Sequence, residues 1–453
     1  MTPSPPVEPT LAITACDTYT GQRLALQLAE YLSKHHRSPS NDQATDTVPT
    51  ELVCLARNPD KCGLLQKKKN VKVVKISYDD PTSLALAIRG ITTVVLVPEI
   101  EPQRLDWINT MVDIFKQEQV VRCVVISCIG TDAPEKSELD AFRRMEESVT
   151  SNIQRWTVLR EGFRFQTLFY WISMVQDQGV LGMPIKKEAT YSPLDIIDLG
   201  HALIVIVFPP ENDSGAHHDG QTYTLTGPET VNGPKLSDEL SKALTPMKGK
   251  PSNPPEVPSP IVYKETSKDE IRRYLVSLRE KSPTTSTFSD GFKLVTKIQE
   301  DEVATTQSIF QRISGFFQKE NWRKGVGSTL DQSSSADDEN KYEAKDLNCG
   351  DDPCKCPPRK DPRGKKPPPK EKDPELEAPN DTEVEFLLQL MEYIHEERAT
   401  FQSGDLKKIT GRKGVDAHVF FAKHARDFRS RSSLDTESAA TVIEDTFPKT
   451  LKK

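Results

Sequence analysis

The chain has 453 residues, a net charge of −7 and 36% apolar residues. That is enough material for a core, and the mild acidity offers no basic field for specific nucleic-acid binding. The opening MTPSPPVEPT is a polar, proline-rich lead over residues 1–10, expected to be disordered and unlike a signal peptide, and the longest purely apolar run, Ala202 to Phe208, is too short to cross a bilayer, so a cytoplasmic chain without a transmembrane segment is expected.

Leu11 to Thr14 is short and apolar and predicts a buried strand. From Gly21 onward, Leu24, Leu26, Leu28, Ala29 and Leu32 recur at helical spacing. The turn between them, Ala15 to Gly21, stands where a strand-to-helix turn can carry a pyrophosphate on the helix N-terminus. Such a turn prefers glycine for the tight bend, for close approach of phosphate and for helix packing. Those positions fall on Ala15, Thr18 and Gly21, so only the packing glycine is kept. If Thr18 removes one or two hydrogen bonds of about 1 kcal/mol each, affinity falls roughly five- to thirtyfold. The turn therefore reads either as a weakened cradle, with the Thr18 and Thr20 hydroxyls returning a contact, or as a turn that only packs.

A long polar loop is expected over residues 33–50. Strands follow at 51–56, 71–76, 93–97, 122–127 and 156–159, with helices near 83–89, 106–117, 139–150 and 196–208. Alternating β and α with apolar strands predicts an α/β fold with a doubly wound parallel sheet, Rossmann-like. Its dinucleotide-binding domain spans 11–165, and a smaller α/β C-terminal lobe, interleaved with the sheet, spans 166–282 and 384–430. Cys54, Cys123 and Cys128 fall in strands and read as buried, reduced residues. His35, His36, His217 and His218 sit in polar surroundings and read as exposed.

Composition changes after about residue 282. Residues 283–383 read as a mostly disordered insertion, with a basic proline-rich stretch at 357–372 suited to an acidic partner. Inside it Ile309, Phe310, Ile313, Phe316 and Phe317 share one face of a helix near 303–319. That helix either packs back on the second lobe or, with Lys319, Arg323 and Lys324 beyond it, meets a partner or a membrane surface. Cys349, Cys354 and Cys356 lack zinc spacing and a nearby histidine, so no metal is expected. Periodicity returns at 384–394 and 417–428, and residues 431–453 form a tail.

Several motifs in order resemble the NmrA-like family of atypical short-chain dehydrogenases. LARNPDK (55–61), DDPTSLALAIRG (79–90) with TTVVLVP after it, VVISCIG (124–130), RRMEES (143–148) and WTVLREGF (156–163) carry the first part of the likeness. SPLDIIDLGHA (192–202), YTLTGPE (223–229) and QSGDLKKITGRKGVDAHVFF (402–421) carry the rest. The resemblance covers roughly 10–275 and 384–430, and implies a dinucleotide cleft at the strand ends between the lobes. Its lining would be Thr18, Tyr19, Thr20 and Gly21, Arg57 and Lys61, Val97 with Pro98, Ser127, and residues 161–165. Arg57 would face the adenosine 2′-phosphate of NADP, and no acid ends the second strand to favour NAD.

The departures bear on activity. The aspartate after the third strand is Ser77, the proline after Leu159–Arg160 is Glu161, and no Tyr-x-x-x-Lys pair follows the fifth strand. Arg143 and Arg144 stand where related reductases place a lysine or histidine. An arginine can orient a carbonyl but cannot shuttle a proton. Asp195 and Asp198, three apart at a helix start, read as a cap and a first-turn charge. No catalytic residue is assigned. The expectation is an NADP-binding sensor or scaffold with little turnover, with residues 283–383 as a partner contact. The alternatives are an NADPH-dependent reductase of a quinone or carbonyl compound and a structural module that binds no nucleotide.

Overall fold

The computed structural model describes residues 10–35, 51–209, 215–245, 260–280 and 376–428. The expected helix near 303–319, the three clustered cysteines at 349–356, the basic stretch at 357–372, His36, most of the 1–10 lead and the 431–453 tail lie outside them.

Seven strands form one parallel sheet in the order β3-β2-β1-β4-β5-β6-β8. They are β1 (Leu11–Ile13), β2 (Leu52–Ala56), β3 (Val71–Lys75), β4 (Thr93–Leu96), β5 (Arg122–Cys128), β6 (Arg155–Glu161) and β8 (Gln221–Leu225). Alternate residues of the central strands feed two separate cores. Ala12, Val94, Leu96, Cys123 and Val125 face one, while Leu11, Ile13, Val95, Val124 and Ile126 face the other. Because both faces are apolar, both must be covered by helices. Burial of each large side chain stabilises this arrangement by roughly 1.5–3 kcal/mol.

One face carries α1 (Tyr19–His35) and α7 (Ile196–Val207). The other carries α3 (Pro81–Ile88), α4 (Arg104–Gln117) and α5 (Glu138–Thr150); a short α2 (Gly63–Gln66) lies beside β3 on the α1 side, with Leu65 in the core under α1. Outside the seven-stranded sheet stand α6 (Ile172–Gln178), α8 (Gly233–Leu244), α9 (Lys268–Glu280) and a second parallel pair, β7 (Val180–Met183) with β9 (Val262–Glu265). The last described segment holds α10 (Asp381–His395), α11 (Asp405–Thr410) and α12 (Ala417–His424), packed on α5 and α9, on α7, and on α8 respectively.

Three expectations need correction. α1 runs to His35, so the polar stretch begins after the helix and not at residue 33. His218 is buried, its Nδ1 2.9 Å from the Tyr223 hydroxyl and its carbonyl accepting from Thr157 Oγ1, although its neighbours in sequence are polar. The insertion does not extend to 383. Leu376 and Ala378 already pack against the core, and Asn380 and Glu383 cap α10 reciprocally. Cys54, Cys123 and Cys128 are buried and unpaired as expected. Among the described residues no helix is long and apolar enough to cross a membrane, and no cluster of His, Cys, Asp and Glu could hold a metal ion.

Candidate functional site

The strand order reverses between β1 and β4, the place where sheets of this kind open a crevice at the C-terminal ends of their strands. Thr14 at the end of β1 ties the two together. Its hydroxyl donates to the Val97 carbonyl at 2.8 Å and accepts from the Val97 amide at 2.8 Å. Ala15 then adopts φ 55°, the left-handed conformation for which this bend normally uses glycine. A Cβ on Gly21 would lie 2.0 Å from the Ala15 carbonyl oxygen, so α1 sits on the turn as closely as a glycine allows.

Thr18, at the middle of the three positions, acts as a helix cap. Its hydroxyl donates to the Ala15 carbonyl at 2.8 Å and accepts from the Gly21 amide at 3.2 Å. One donor of the helix N-terminus is thereby used internally. Arg164, beyond β6, reaches across the crevice, and its Nη1 donates to Thr20 Oγ1 at 2.5 Å. The structure therefore brings Thr18, Tyr19, Thr20, Gly21 and Arg164 together, while Pro98 follows β4 at the same edge.

Arg57 and Lys61 follow β2 as expected, but neither stands before open solvent awaiting an anion. Arg57 is ion-paired with Glu99 and, at 3.3 Å, with Glu101, both from the segment after β4. Its guanidinium also lies over the Trp107 ring, 4.9 Å from the centroid. Glu99 is almost wholly buried and accepts from the Tyr78 hydroxyl at 2.7 Å. Burial pushes the Glu99 carboxyl up, against the pull of Tyr78 and Arg57. Partial burial works against the Arg57 cation, yet the charge of Glu99 and the bonds to Glu99 and Glu101 raise it on balance. No acid ends β2 itself; the carboxylates beside Arg57 come from the segment after β4. Asp17, in the turn, accepts the Asn58 amide at 2.8 Å and adds another carboxylate at this end. Lys61 pairs with Glu377 at 2.6 Å.

Ser127 lies at the far end of the crevice, buried, with its hydroxyl donating to Glu146 Oε1 at 2.5 Å. The same carboxylate takes two bonds from Arg160, at 2.9 and 2.5 Å. Arg143 points to its own helix, pairing with Asp140 and Glu147. Glu161, at the end of β6, is buried, and its Oε2 has no hydrogen-bond partner. Burial pushes its carboxyl above the usual range, offset in part by Arg164, whose Nε is 3.5 Å away. Close by, Gly162, Phe163, Tyr191, Ser192 and Phe401 line a small cavity, with the Tyr191 hydroxyl also unpartnered. Asp195 caps α7 through the Ile197 amide as expected, whereas Asp198 is buried, accepts the Val415 amide at 2.7 Å and is pushed up to about 7 by that burial.

Sequence reasoning missed Glu99, Glu101, Trp107 and Glu377. Two acids spaced by two just after the fourth strand were a usable signal for the first pair; nothing local points to Glu377.

Comparison with known proteins agrees with this geometry. Residues 42–165 match the family model described as NAD(P)H-binding, so this part of the chain is a domain of that class. The match begins beyond the Ala15–Gly21 turn. The chain is 23% identical over 210 residues to an NAD(P)H azoreductase of Xenophilus azovorans, covering 44% of this chain and 71% of the relative. It is 22% identical over 262 residues to the prestalk A differentiation protein A of Dictyostelium discoideum, covering 57% and 77%. The Citrobacter sp. triphenylmethane reductase, solved with NADP(H), superposes with a TM-score of 0.55 at 12% identity, covering 92% of this chain and 99% of that one. That likeness fixes the fold: a Rossmann-like α/β protein.

The residues present fit a dinucleotide in outline. The bend after β1, the close-packed Gly21, the α1 N-terminus and the cations Arg57, Lys61 and Arg164 line one crevice. The fit is loosened by the carboxylates already paired with each of those cations.

Proposed function

We propose that the chain binds NADP(H) weakly and acts as a sensor or scaffold of the NmrA-like kind, with little or no turnover. Arg57 and Lys61 would hold the adenosine 2′-phosphate, Thr18 to Gly21 the pyrophosphate, and Pro98 and Ser127 would flank the nicotinamide half. Bound there, the cofactor supplies a hydride. The observation that carries the low-turnover reading is the locked state of Ser127. Its hydroxyl is spent on the Glu146–Arg160 pair, and no Tyr-x-x-x-Lys pair stands in for it. Residues 283–375, the part of that stretch outside the described residues, remain the proposed partner contact. Calorimetric titration of the full chain with NADPH and NADH tests the binding. Micromolar to sub-millimolar NADPH binding, weaker for NADH, is expected; no binding at millimolar cofactor would leave only an interaction module.

A second reading, an NADPH-dependent reductase of a quinone or carbonyl compound, is favoured by Glu161. A buried carboxyl that burial pushes above its ordinary value, beside an arginine, is a suitable proton source for a reduced substrate. On this reading NADPH oxidation with a quinone or carbonyl panel is measurable and drops at least tenfold in Glu161→Gln. Absence of oxidation with every member of the panel leaves the sensor.

A further inference from the structure

Residues 376–380 lead into α10 along the C-terminal ends of the strands. Glu377 pairs with Lys61 beyond β2, and three residues later Asn380 Nδ2 donates to the Ile100 carbonyl beyond β4 at 2.9 Å. The segment therefore runs from the end of β2 to the end of β4, past the point where the strand order reverses. The adenosine half of a dinucleotide lies along that line in a sheet of this order. The downstream end of the segment is firmly held. Pro379 is buried, and Arg279 from the end of α9 donates through Nε to the Pro379 carbonyl at 2.6 Å and pairs with Asp381 at 2.7 Å. The upstream end is held differently, because both members of the Glu377–Lys61 pair are substantially exposed. Exposed ion pairs are weak, so an incoming phosphate can take the lysine without disturbing the anchor at Asn380.

We propose that residues 376–380 are an autoinhibitory strap on the dinucleotide crevice, in which Glu377 stands on Lys61 where a nucleotide phosphate would, so that cofactor binding releases the strap about its anchor at Pro379 and Asn380. The inference rests on the NADP(H) reading above and adds its regulation. A carboxylate and a phosphate compete for one ammonium, so the strap lowers affinity for the phosphorylated cofactor. It also couples occupancy of the crevice to the position of the chain just before α10.

The test uses the full-length protein, NADPH as probe, and the surface substitution Glu377→Gln, which leaves the anchor intact. Calorimetry gives the affinity, and hydrogen exchange of peptides spanning 376–384 gives the state of the strap with and without NADPH. The expected result is a two- to fivefold tighter NADPH complex for Glu377→Gln, about what one exposed ion pair is worth. In the wild type, exchange across 376–384 rises when NADPH is added. Equal affinity in the two proteins would overturn the strap and leave the cofactor reading standing, as would exchange that slows with NADPH, the mark of a segment closing onto the ligand. If neither protein binds at millimolar NADPH, the cofactor reading falls and the strap with it. Binding by the variant alone supports both.

Discussion

The two ends of the crevice are stabilised in opposite ways. At the β2–β4 end the cations are half-exposed and their acids arrive from distant segments: Arg57 meets Glu99 and Glu101, and Lys61 meets Glu377. At the β5–β6 end the acids are buried and their partners are close in sequence or in the adjacent strand. Glu146 holds Ser127 and Arg160, and Glu161 faces Arg164. The Lys61–Glu377 pair, exposed on both sides, can change partners with little penalty, whereas a buried acid stripped of its partner, Glu99 as much as Glu146, keeps its desolvation cost. The first end therefore has one cation, Lys61, that a ligand can take cheaply, and the second has none.

The largest effect expected from breaking the comparison is at the hinge between exposed and buried charge. Arg57→Ala leaves Glu99, 3% exposed, without its cation. A loss of about 3 kcal/mol in stability at neutral pH is expected, moderated by the bond from Tyr78. Adding Glu99→Gln should return most of it, and denaturant titration of the two variants reads the difference. If Arg57→Ala alone is harmless, Glu99 is not ionised and the pair is not what holds the β4 loop.

Glu146→Gln sharpens the contrast from the other side. It removes the charge that Arg160 and Ser127 share, but Arg160 is 32% exposed and can be rehydrated. A loss of about 2 kcal/mol is expected, with NADPH affinity unchanged. A change in affinity would show that the Ser127–Glu146 bond, and not only the place of Ser127 beside the nicotinamide half, sets cofactor binding.

Glu161 gives the comparison a pH dependence. Its folded-state value is raised above the unfolded one, so the stability it contributes is complete below the unfolded value of about 4.5 and is lost as pH rises through the folded value. Asp198 and Glu383, each pushed up to about 7 chiefly by burial, act in the same direction in any variant. The difference between Glu161→Gln and wild type therefore isolates Glu161. The variant is expected to gain stability relative to wild type as pH rises above about 4.5. A difference that is flat with pH would mean that Glu161 is ionised throughout.

The fold was legible because strands buried on both faces read as continuous apolar runs, and because Leu24, Leu28 and Leu32 of α1 mark their helix face without help from context. Arg57 and Lys61 were legible as positions after a strand. Their partners were not, since Glu377 lies 316 residues from Lys61 and no local pattern joins them. His218 failed for a related reason. Its polar neighbours say loop, while the burial comes from Tyr223 and Thr157 on strands of the main sheet.

The glycine positions of the first turn are where the structure separates what the sequence treats alike. Ala15 and Thr18 both replace a preferred glycine, but only one of them uses a donor that a phosphate would need. Ala15 carries the left-handed φ itself, with its methyl buried in the core under α1. Ala15→Gly relieves about 1 kcal/mol of backbone strain and gives back about as much through lost burial and a freer unfolded chain. Its stability should stay within about 0.5 kcal/mol and its NADPH affinity within about twofold. Thr18 instead holds the Gly21 amide through its own hydroxyl. Thr18→Gly surrenders a few tenths of a kcal/mol as a cap and frees that amide, so NADPH should bind about fivefold more tightly. If Ala15→Gly tightens binding and Thr18→Gly does not, the bend itself is what weakens the cradle, and the cap at Thr18 is not.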